Sequence, residues 1–448
     1  MNQSLKQILT TSKKRIAVWG IGYIGYSSMA HFAREGVYCI GGDISQKNVD
    51  DININGKSNI PNIEYWLNFD VKPLTEKGLI SATTNLDDLI SDKILVHLIA
   101  VPTEKDGLPN VQALKQVLSR IFKKIKTNQF KNIPLIIIES TISLDTIDNL
   151  IIPLANSFHV SIGEEVRIGV APRRDWFVSP DKTLKSLPRI IGGFDQYTTD
   201  LMADVLSIVC DHLLKAKDAR HACLVKSVEN AYRQLDITFA NQLSLAYPDI
   251  NIIEVLKLAG TKWNVQTYHP SFGSGGYCIP LAPLYIIKGA TKPKELSLLE
   301  MSIESNDQQP KRIANSLINR NAKCVGILGL AYTEDIKVDI LSPTIAISRE
   351  LLNNNIAVKI NDPLYTSTEI YNICMTDTFK FPAINKQFDT ILIVSPHSLY
   401  KSTPFNKIIS SFPNCRLIID NMGAWRDKRT MFKAAKIEYH EAGDEGWL

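Results

Sequence analysis

Three sets of side chains in this sequence have the types and spacing to do chemistry. The first is a thiol, Cys278, in the run Pro270-Ser271-Phe272-Gly273-Ser274-Gly275-Gly276-Tyr277-Cys278-Ile279-Pro280. Glycines let backbone N–H groups come close to a ligand, and Pro280 stiffens the exit of the turn, so the loop can present its thiol as a covalent nucleophile. A lone Cys among glycines is also, in many proteins, only a small apolar residue. The second set is Gly20-Ile21-Gly22-Tyr23-Ile24-Gly25 followed by Asp43. Here the first glycine makes a tight turn, the second lets backbone approach a pyrophosphate, and the third lets helix and strand pack. The helix N-terminus adds partial positive charge, and the acid about 20 residues on accepts from a ribose 2′-OH and repels a 2′-phosphate. That favours NAD over NADP. The third set is Lys226 and Asn230, four apart on one helix face; elsewhere such a pair is commonly solvated surface.

The elements around these residues are those of a nucleotide-binding chain. Ile16-Ala17-Val18-Trp19 reads as a buried parallel strand running into the glycines, with a helix from Tyr26 to Arg34 and a second strand from Val37 to Ile40. The strand Lys93 to Ala100 ends in Val101-Pro102-Thr103, and the strand Pro134 to Ile138 ends in Glu139-Ser140-Thr141. Ligands of doubly wound sheets bind at that carboxyl edge, so Pro102 and Thr103 are placed to touch the cofactor or simply to form the loop. A helix is expected over Val111 to Lys126 and a strand over Val166 to Val170, with Pro188 to Gly193 closing the domain near residue 200.

From Thr199 to Leu258 the periodicity is helical, with Val228, Ala231, Leu235, Phe239 and Leu243 spaced by three or four along a long connecting helix from Lys226 to Ala246. A second α/β pattern begins at Cys324 and continues through the helix Thr344 to Asn353, the strand Ile356 to Ile360, Asp362-Pro363, Thr390 to Val394 and Leu417 to Asp420. The expected fold is α/β: two Rossmann-like, doubly wound parallel-sheet domains (1–200 and 319–448) joined by a helical central region (201–318).

A length of 448 residues calls for two or three domains, and 45% hydrophobic with 21% charged residues is an ordinary globular balance. The net charge of +4 carries no dense Lys/Arg run, which argues against nucleic acid as a partner. Seven scattered cysteines without CxxC spacing argue for a reducing, cytoplasmic setting and against a zinc site or other metal. The sequence shows no signal peptide and no apolar run near the roughly 18 residues of a membrane span.

Taken in order, these motifs resemble the UDP-glucose/GDP-mannose dehydrogenase family of nucleotide-sugar dehydrogenases along nearly the whole chain. The resemblance rests on the glycine cradle with Asp43, Val101-Pro102-Thr103, Ser140-Thr141, Lys226 to Arg233 with Phe239-Ala240-Asn241, the Cys278 loop, Gly329-Leu330-Ala331-Tyr332 with Ser342-Pro343, and Asn361-Asp362-Pro363. It implies NAD bound by Gly20, Gly22, Tyr23, Ile24, Gly25, Asp43, Pro102, Thr103 and Thr141. It implies a UDP-hexose or UDP-N-acetylhexosamine held in part by Lys226, Asn230, Tyr268, Phe272, Gly273 and Gly275, and a homodimer formed by the central helices.

The chemistry implied is two successive oxidations of a sugar CH2OH to a carboxylate. A thiolate adds to the intermediate aldehyde, so that the thiohemiacetal again carries a C–H, and water cleaves the thioester that follows. Cys278 would be that nucleophile, Lys226 and Asn230 would stabilise oxyanion charge at C6, and Thr141 would position a water or the alcohol.

The chain departs from the family pattern at Arg173 and Phe177, where family members carry acids, and at Ala282, where an Asp is usual. It departs again at Thr333 and Ile340, where a Lys and an Arg are usual. These departures keep two alternatives open: a member that stops after a single two-electron oxidation, and a non-catalytic nucleotide-sugar or NAD-binding protein.

Overall fold

The apolar runs become strands buried on both faces, as a parallel sheet covered by helices requires. A computed structural model of the chain describes residues 3–128, 132–174 and 182–448, so Asp175 and Phe177 lie outside the described residues. Its contacts divide it into two units, Met1–Glu229 with Leu284–Pro293 and Asn230–Pro283 with Lys294–Leu448.

The first unit holds strands β1 (Arg15–Trp19), β2 (Tyr38–Gly42), β3 (Ile80–Thr83), β4 (Ile94–Ile99), β5 (Leu135–Ile138), β6 (Arg167–Val170), β7 (Arg189–Gly193) and β8 (Leu213–Lys215). They lie in the order β8-β7-β6-β5-β4-β1-β2-β3. The stretch β3-β2-β1-β4-β5-β6 is the doubly wound dinucleotide-binding order, with its crevice at the carboxyl ends of β1 and β4. Ala17 of β1 sits between Ile40 of β2 and His97 of β4. Strand β7 runs antiparallel to β6 and does not close the sheet as expected: β8 pairs outside it, in parallel. The helix after the glycines begins at Tyr23 rather than Tyr26, because Gly22 already serves as its N-cap.

The second unit holds β9 (Cys324–Leu328), β10 (Ala357–Asn361), β11 (Thr390–Ile393), β12 (Leu417–Asp420) and β13 (Glu438–Glu441). All pair in parallel, in the order β10-β9-β11-β12-β13. This is the five-stranded doubly wound order, and its switch point lies between β9 and β11.

The long helix spans Ala219–Ala246 and is longer than expected. It buries a polar stripe of Ser227, Asn230, Gln234, Thr238, Asn241 and Ser244, and among the residues expected to form its apolar face only Ala231 is buried. Gln234 Nε2 and Thr238 Oγ1 donate to the Ser302 carbonyl of the helix Ser297–Asn319, at 3.4 and 3.5 Å. Tyr232 (66% exposed) and Phe239 (60%) point outward instead.

Candidate active site

The glycine cradle closes as its sequence requires. Gly20 has φ +84°, and a Cβ there would meet the Ala100 carbonyl oxygen at 2.8 Å, so the turn out of β1 lies directly against the end of β4. A Cβ on Gly25 would lie 1.8 Å from the Gly20 carbonyl oxygen, whereas one on Gly22 would meet nothing within 4 Å. Two glycines are therefore consumed by packing, and the third, the N-cap, leaves an open approach at the N-terminus of the helix Tyr23–Arg34, where no side chain caps the backbone. Asp43, just past β2, accepts the Ile21 N–H at 3.1 Å and the Ser45 N–H at 2.9 Å, which fixes the acid beside the turn and leaves lone pairs on both oxygens. An open glycine at a helix N-terminus and a held carboxylate fit NAD.

The same edge carries Pro102, exposed, and Thr103, buried. Thr103 Oγ1 donates to the Thr141 carbonyl at 2.6 Å, and Tyr285 Oη donates to the Thr103 carbonyl at 2.8 Å, so Thr103 ties the ends of β4 and β5 together. Ser140 Oγ reinforces the link through the Val101 carbonyl at 2.7 Å. The Thr141 hydroxyl makes no hydrogen bond among the described residues and is half-buried.

Arg173, where the resemblance implies an acid, is turned into the fold. Its guanidinium donates to Ser28 Oγ at 2.5 Å, Ser27 Oγ at 3.0 Å and the Ile24 carbonyl at 3.3 Å, all on the cradle helix. Ser28 in turn donates to Glu139 at 2.6 Å, and Glu139 pairs with the buried Arg189 at 2.5 Å. Arg174 lies nearer the surface and pairs with Glu229 at 2.8 Å.

In the second unit the Cys278 loop is anchored by four side-chain amides. Asn241 accepts the Ser271 N–H at 2.7 Å, Asn421 accepts the Phe272 N–H at 2.8 Å, Asn306 accepts the Ser274 N–H at 2.7 Å, and Gln309 donates to the Ser271 carbonyl at 3.1 Å. Gly276 N–H donates to the Ile340 carbonyl at 2.7 Å, and Cβ atoms on Gly275 or Gly276 would strike Tyr332 at 2.7 Å, so this stretch lies flat on that side chain. Gly273 has φ +121°, a Cβ there would lie in van der Waals contact with Asn306 and Pro310, and Tyr268 is half-buried. The Phe272 phenyl is fully buried in the core of this unit, so what it can offer a ligand is its backbone.

Cys278 is the exposed member of the seven thiols. Burial pushes Cys223 and Cys415 up to about 12 and Cys374 to about 11, and it raises Cys39 further and Cys324 as well. Since the thiolate is the nucleophile, those five are withdrawn from chemistry; the sixth, Cys210, is buried. Lys226 is half-buried and Asn230 is 5% exposed, and neither side chain hydrogen-bonds to a neighbour among the described residues.

Models of the UDP-glucose/GDP-mannose dehydrogenase family match residues 14–209 (NAD binding domain), 220–308 (central domain) and 326–427 (UDP binding domain). The chain belongs to this family. It is 28% identical over 424 residues to the UDP-N-acetyl-D-mannosamine dehydrogenase of Campylobacter jejuni, covering 88% of this chain and 98% of the relative. To that of Methanocaldococcus jannaschii it is 29% identical, covering 91% and 92%. The fold matches the UDP-D-ManNAc dehydrogenase of Pyrococcus horikoshii with a TM-score of 0.80 at 24% identity, covering 97% of this chain and all of that one. A UDP-glucose dehydrogenase from Pyrobaculum islandicum gives 0.80 at 20% identity, covering 96% and 98%. The family makes the protein an NAD-dependent nucleotide-sugar dehydrogenase whose cofactor is NAD. Among the described residues no helix is long and apolar enough to cross a membrane.

Sequence reasoning missed Asn306, Gln309 and Asn421 as supports of the Cys278 loop. Each comes from an element remote in sequence, and an isolated Asn or Gln carries no local signal of what it will hold. Asn241 alone stood inside a motif already singled out.

Proposed function

We propose that the protein oxidises C6 of a UDP-N-acetylhexosamine or UDP-hexose to the uronate through a covalent adduct on Cys278. The observation that carries this is the mounting of Cys278: one exposed thiol on an amide-anchored loop, in a chain whose other cysteines are buried or raised. The relatives named for UDP-N-acetyl-D-mannosamine favour an N-acetylhexosamine. NAD, when bound, supplies the hydride acceptor.

The chain's own groups do the rest. The Cys278 thiolate adds to the C6 aldehyde, forming a C–S bond, and the resulting oxyanion takes up a proton. Lys226 and Asn230 offer a positive charge and an N–H donor to that oxygen. Loss of the C6 hydride and of the hydroxyl proton leaves a thioester; water adds, the C–S bond breaks, and carboxylate and thiolate are released. Thr141 contributes a hydroxyl to orient the alcohol or the water. The apolar residues Tyr232 and Phe239, turned out of the long helix, support a homodimer through that face, and the scattered free thiols support a cytoplasmic setting.

A second reading is favoured by Arg173, bound to the cradle helix, and by Ala282, 2% exposed, at two positions where the family carries acids. In it the reaction stops at the aldehyde. Purified protein incubated with NAD and a panel of UDP- and GDP-sugars separates the two: two NADH per sugar and a uronate by mass support the full oxidation. One NADH and an aldehyde refute it in favour of the second reading.

A further inference from the structure

Phe272 stands six residues before Cys278 in the same loop, and it is held from two sides by residues outside the glycine motif. On one side Asn421, just past β12, accepts the Phe272 N–H at 2.8 Å and is itself fixed, its N–H donating to the Ile393 carbonyl at 2.9 Å and its Nδ2 to the Val394 carbonyl at 3.0 Å. On the other, the Trp447 indole lies parallel to the Phe272 phenyl, with centroids 6.2 Å apart and an interplanar angle of 4°. Both rings are fully buried.

Trp447 belongs to a segment that follows β13 and is fastened along its length. A Cβ on Gly443 would meet Pro270 Cγ at 2.6 Å, so this backbone lies against the first residue of the Cys278 loop. The Gly443 carbonyl accepts the Ile252 N–H at 2.9 Å, and Gly446 N–H donates to the Pro248 carbonyl at 2.9 Å. Asp444 accepts from Asn251 Nδ2 at 3.0 Å, from Arg429 at 2.6 Å and from the Glu441 N–H at 2.6 Å. The family model for the UDP binding domain matches only to residue 427, so these contacts lie beyond it.

We propose that the segment 442–448 is a clamp that positions Cys278, with Trp447 as the positioning residue acting through Phe272. The proposal rests on Cys278 being the nucleophile. A loop with glycines at 273, 275 and 276 has the most conformational freedom to lose on ordering, while a nucleophile must be held to a fraction of an ångström. Phe272, its N–H held by Asn421 and its ring lying against Trp447, gives that loop a large buried anchor.

The test uses the full chain with Trp447→Ala and Trp447→Phe, read by the rate at which iodoacetamide alkylates Cys278, by kcat and KM for the nucleotide sugar, and by NADH affinity. Trp447→Ala is expected to lower kcat at least about tenfold and to speed alkylation several-fold, with NADH affinity unchanged; Trp447→Phe, which keeps a ring on Phe272, is expected to recover most of both. Should Trp447→Ala fail to fold, Gly443→Ala presses on Pro270 and is expected to give the same pair of changes. A folded Trp447→Ala or Gly443→Ala protein with wild-type alkylation rate and kcat overturns the clamp. Turnover to the uronate that survives Cys278→Ser overturns the nucleophile reading instead, and the alkylation rates still report on the clamp.

Discussion

Gly22 and Gly25 stand three residues apart in one motif, yet the structure assigns them different work, and alanine at each should fail differently. At Gly25 the new methyl would lie 1.8 Å from the Gly20 carbonyl oxygen and 3.1 Å from Val18 Cγ1. A carbon and a carbonyl oxygen normally stop at about 3.3 Å, so the cradle helix must move by roughly 1.5 Å. Overpacking of that kind costs about 1–3 kcal/mol, or a few degrees of Tm per kcal/mol in a domain of this size. At Gly22 the methyl meets nothing within 4 Å, and φ −73° suits alanine. The loss of a good N-cap, about 0.5–1 kcal/mol, is largely offset by the stiffer unfolded chain.

Gly22→Ala should therefore leave Tm within a few degrees of wild type while raising the Kd for NADH at least about tenfold, a loss of about 1.4 kcal/mol, because the methyl stands where a pyrophosphate approaches the backbone. Thermal melting and fluorescence titration of NADH measure the two effects separately. Wild-type NADH affinity in a folded Gly22→Ala protein would refute the assignment of Gly22 as the open wall of the cradle.

Iodoacetamide at neutral pH should label Cys278 well ahead of the other six cysteines, as peptide mass mapping would show; comparable labelling of Cys223 or Cys415 would contradict their burial. Glu139→Gln leaves Arg189 buried beside a neutral amide and should cost about 3–5 kcal/mol, read as a fall in the denaturant midpoint. His97 is buried in β4 and its Nδ1 accepts the Trp19 indole N–H at 3.2 Å, and burial holds its pKa down at about 3. The unfolded chain then binds the extra proton between about pH 6.5 and 3, so this contribution to stability is complete above pH 6.5 and is lost as pH falls through that window. His97→Gln should flatten that part of the stability profile, and an unchanged slope would refute the assignment.

Strands buried on both faces were legible as unbroken apolar runs, and β4 and β5 fall within a residue of where Lys93–Ala100 and Pro134–Ile138 place them. Strand β8 was not legible: it has three residues, Leu214 is half-exposed, and its neighbours Asp211 and Lys217 give a polar reading. The long helix was legible from Lys226 to its end but not in its first two turns or its orientation. Its apolar stripe looked like a core face, whereas Gln234, Thr238 and Asn241 turn inward because they hydrogen-bond to Ser302 and Ser271. The burial of Phe272 was not legible either, because the ring it packs against belongs to the distant Trp447.

The departures at 173 and 282 have different structural consequences, and this bears on how a thioester on Cys278 would be cleaved. Arg173 is bound into the fold: its guanidinium bridges Ile24, Ser27 and Ser28, and through Ser28 it joins the buried Glu139–Arg189 pair, so its charge braces the helix Tyr23–Arg34. Restoring a carboxylate at 173 would place a negative group next to Ser28 and close to Glu139, a like-charge contact in a buried setting. Ala282 is a deletion: its methyl is buried at the first residue of the helix after the Cys278 loop, and its N–H donates to the Cys278 carbonyl at 3.2 Å. A carboxylate there would suit the helix N-terminus but would need room that the present packing does not give. One position has thus become part of a buried polar network and the other is closed by packing. The full oxidation proposed for Cys278 ends with water cleaving a thioester, and neither of these two positions offers a carboxylate to assist it, which is why the count of NADH per sugar is the measurement on which the proposal turns.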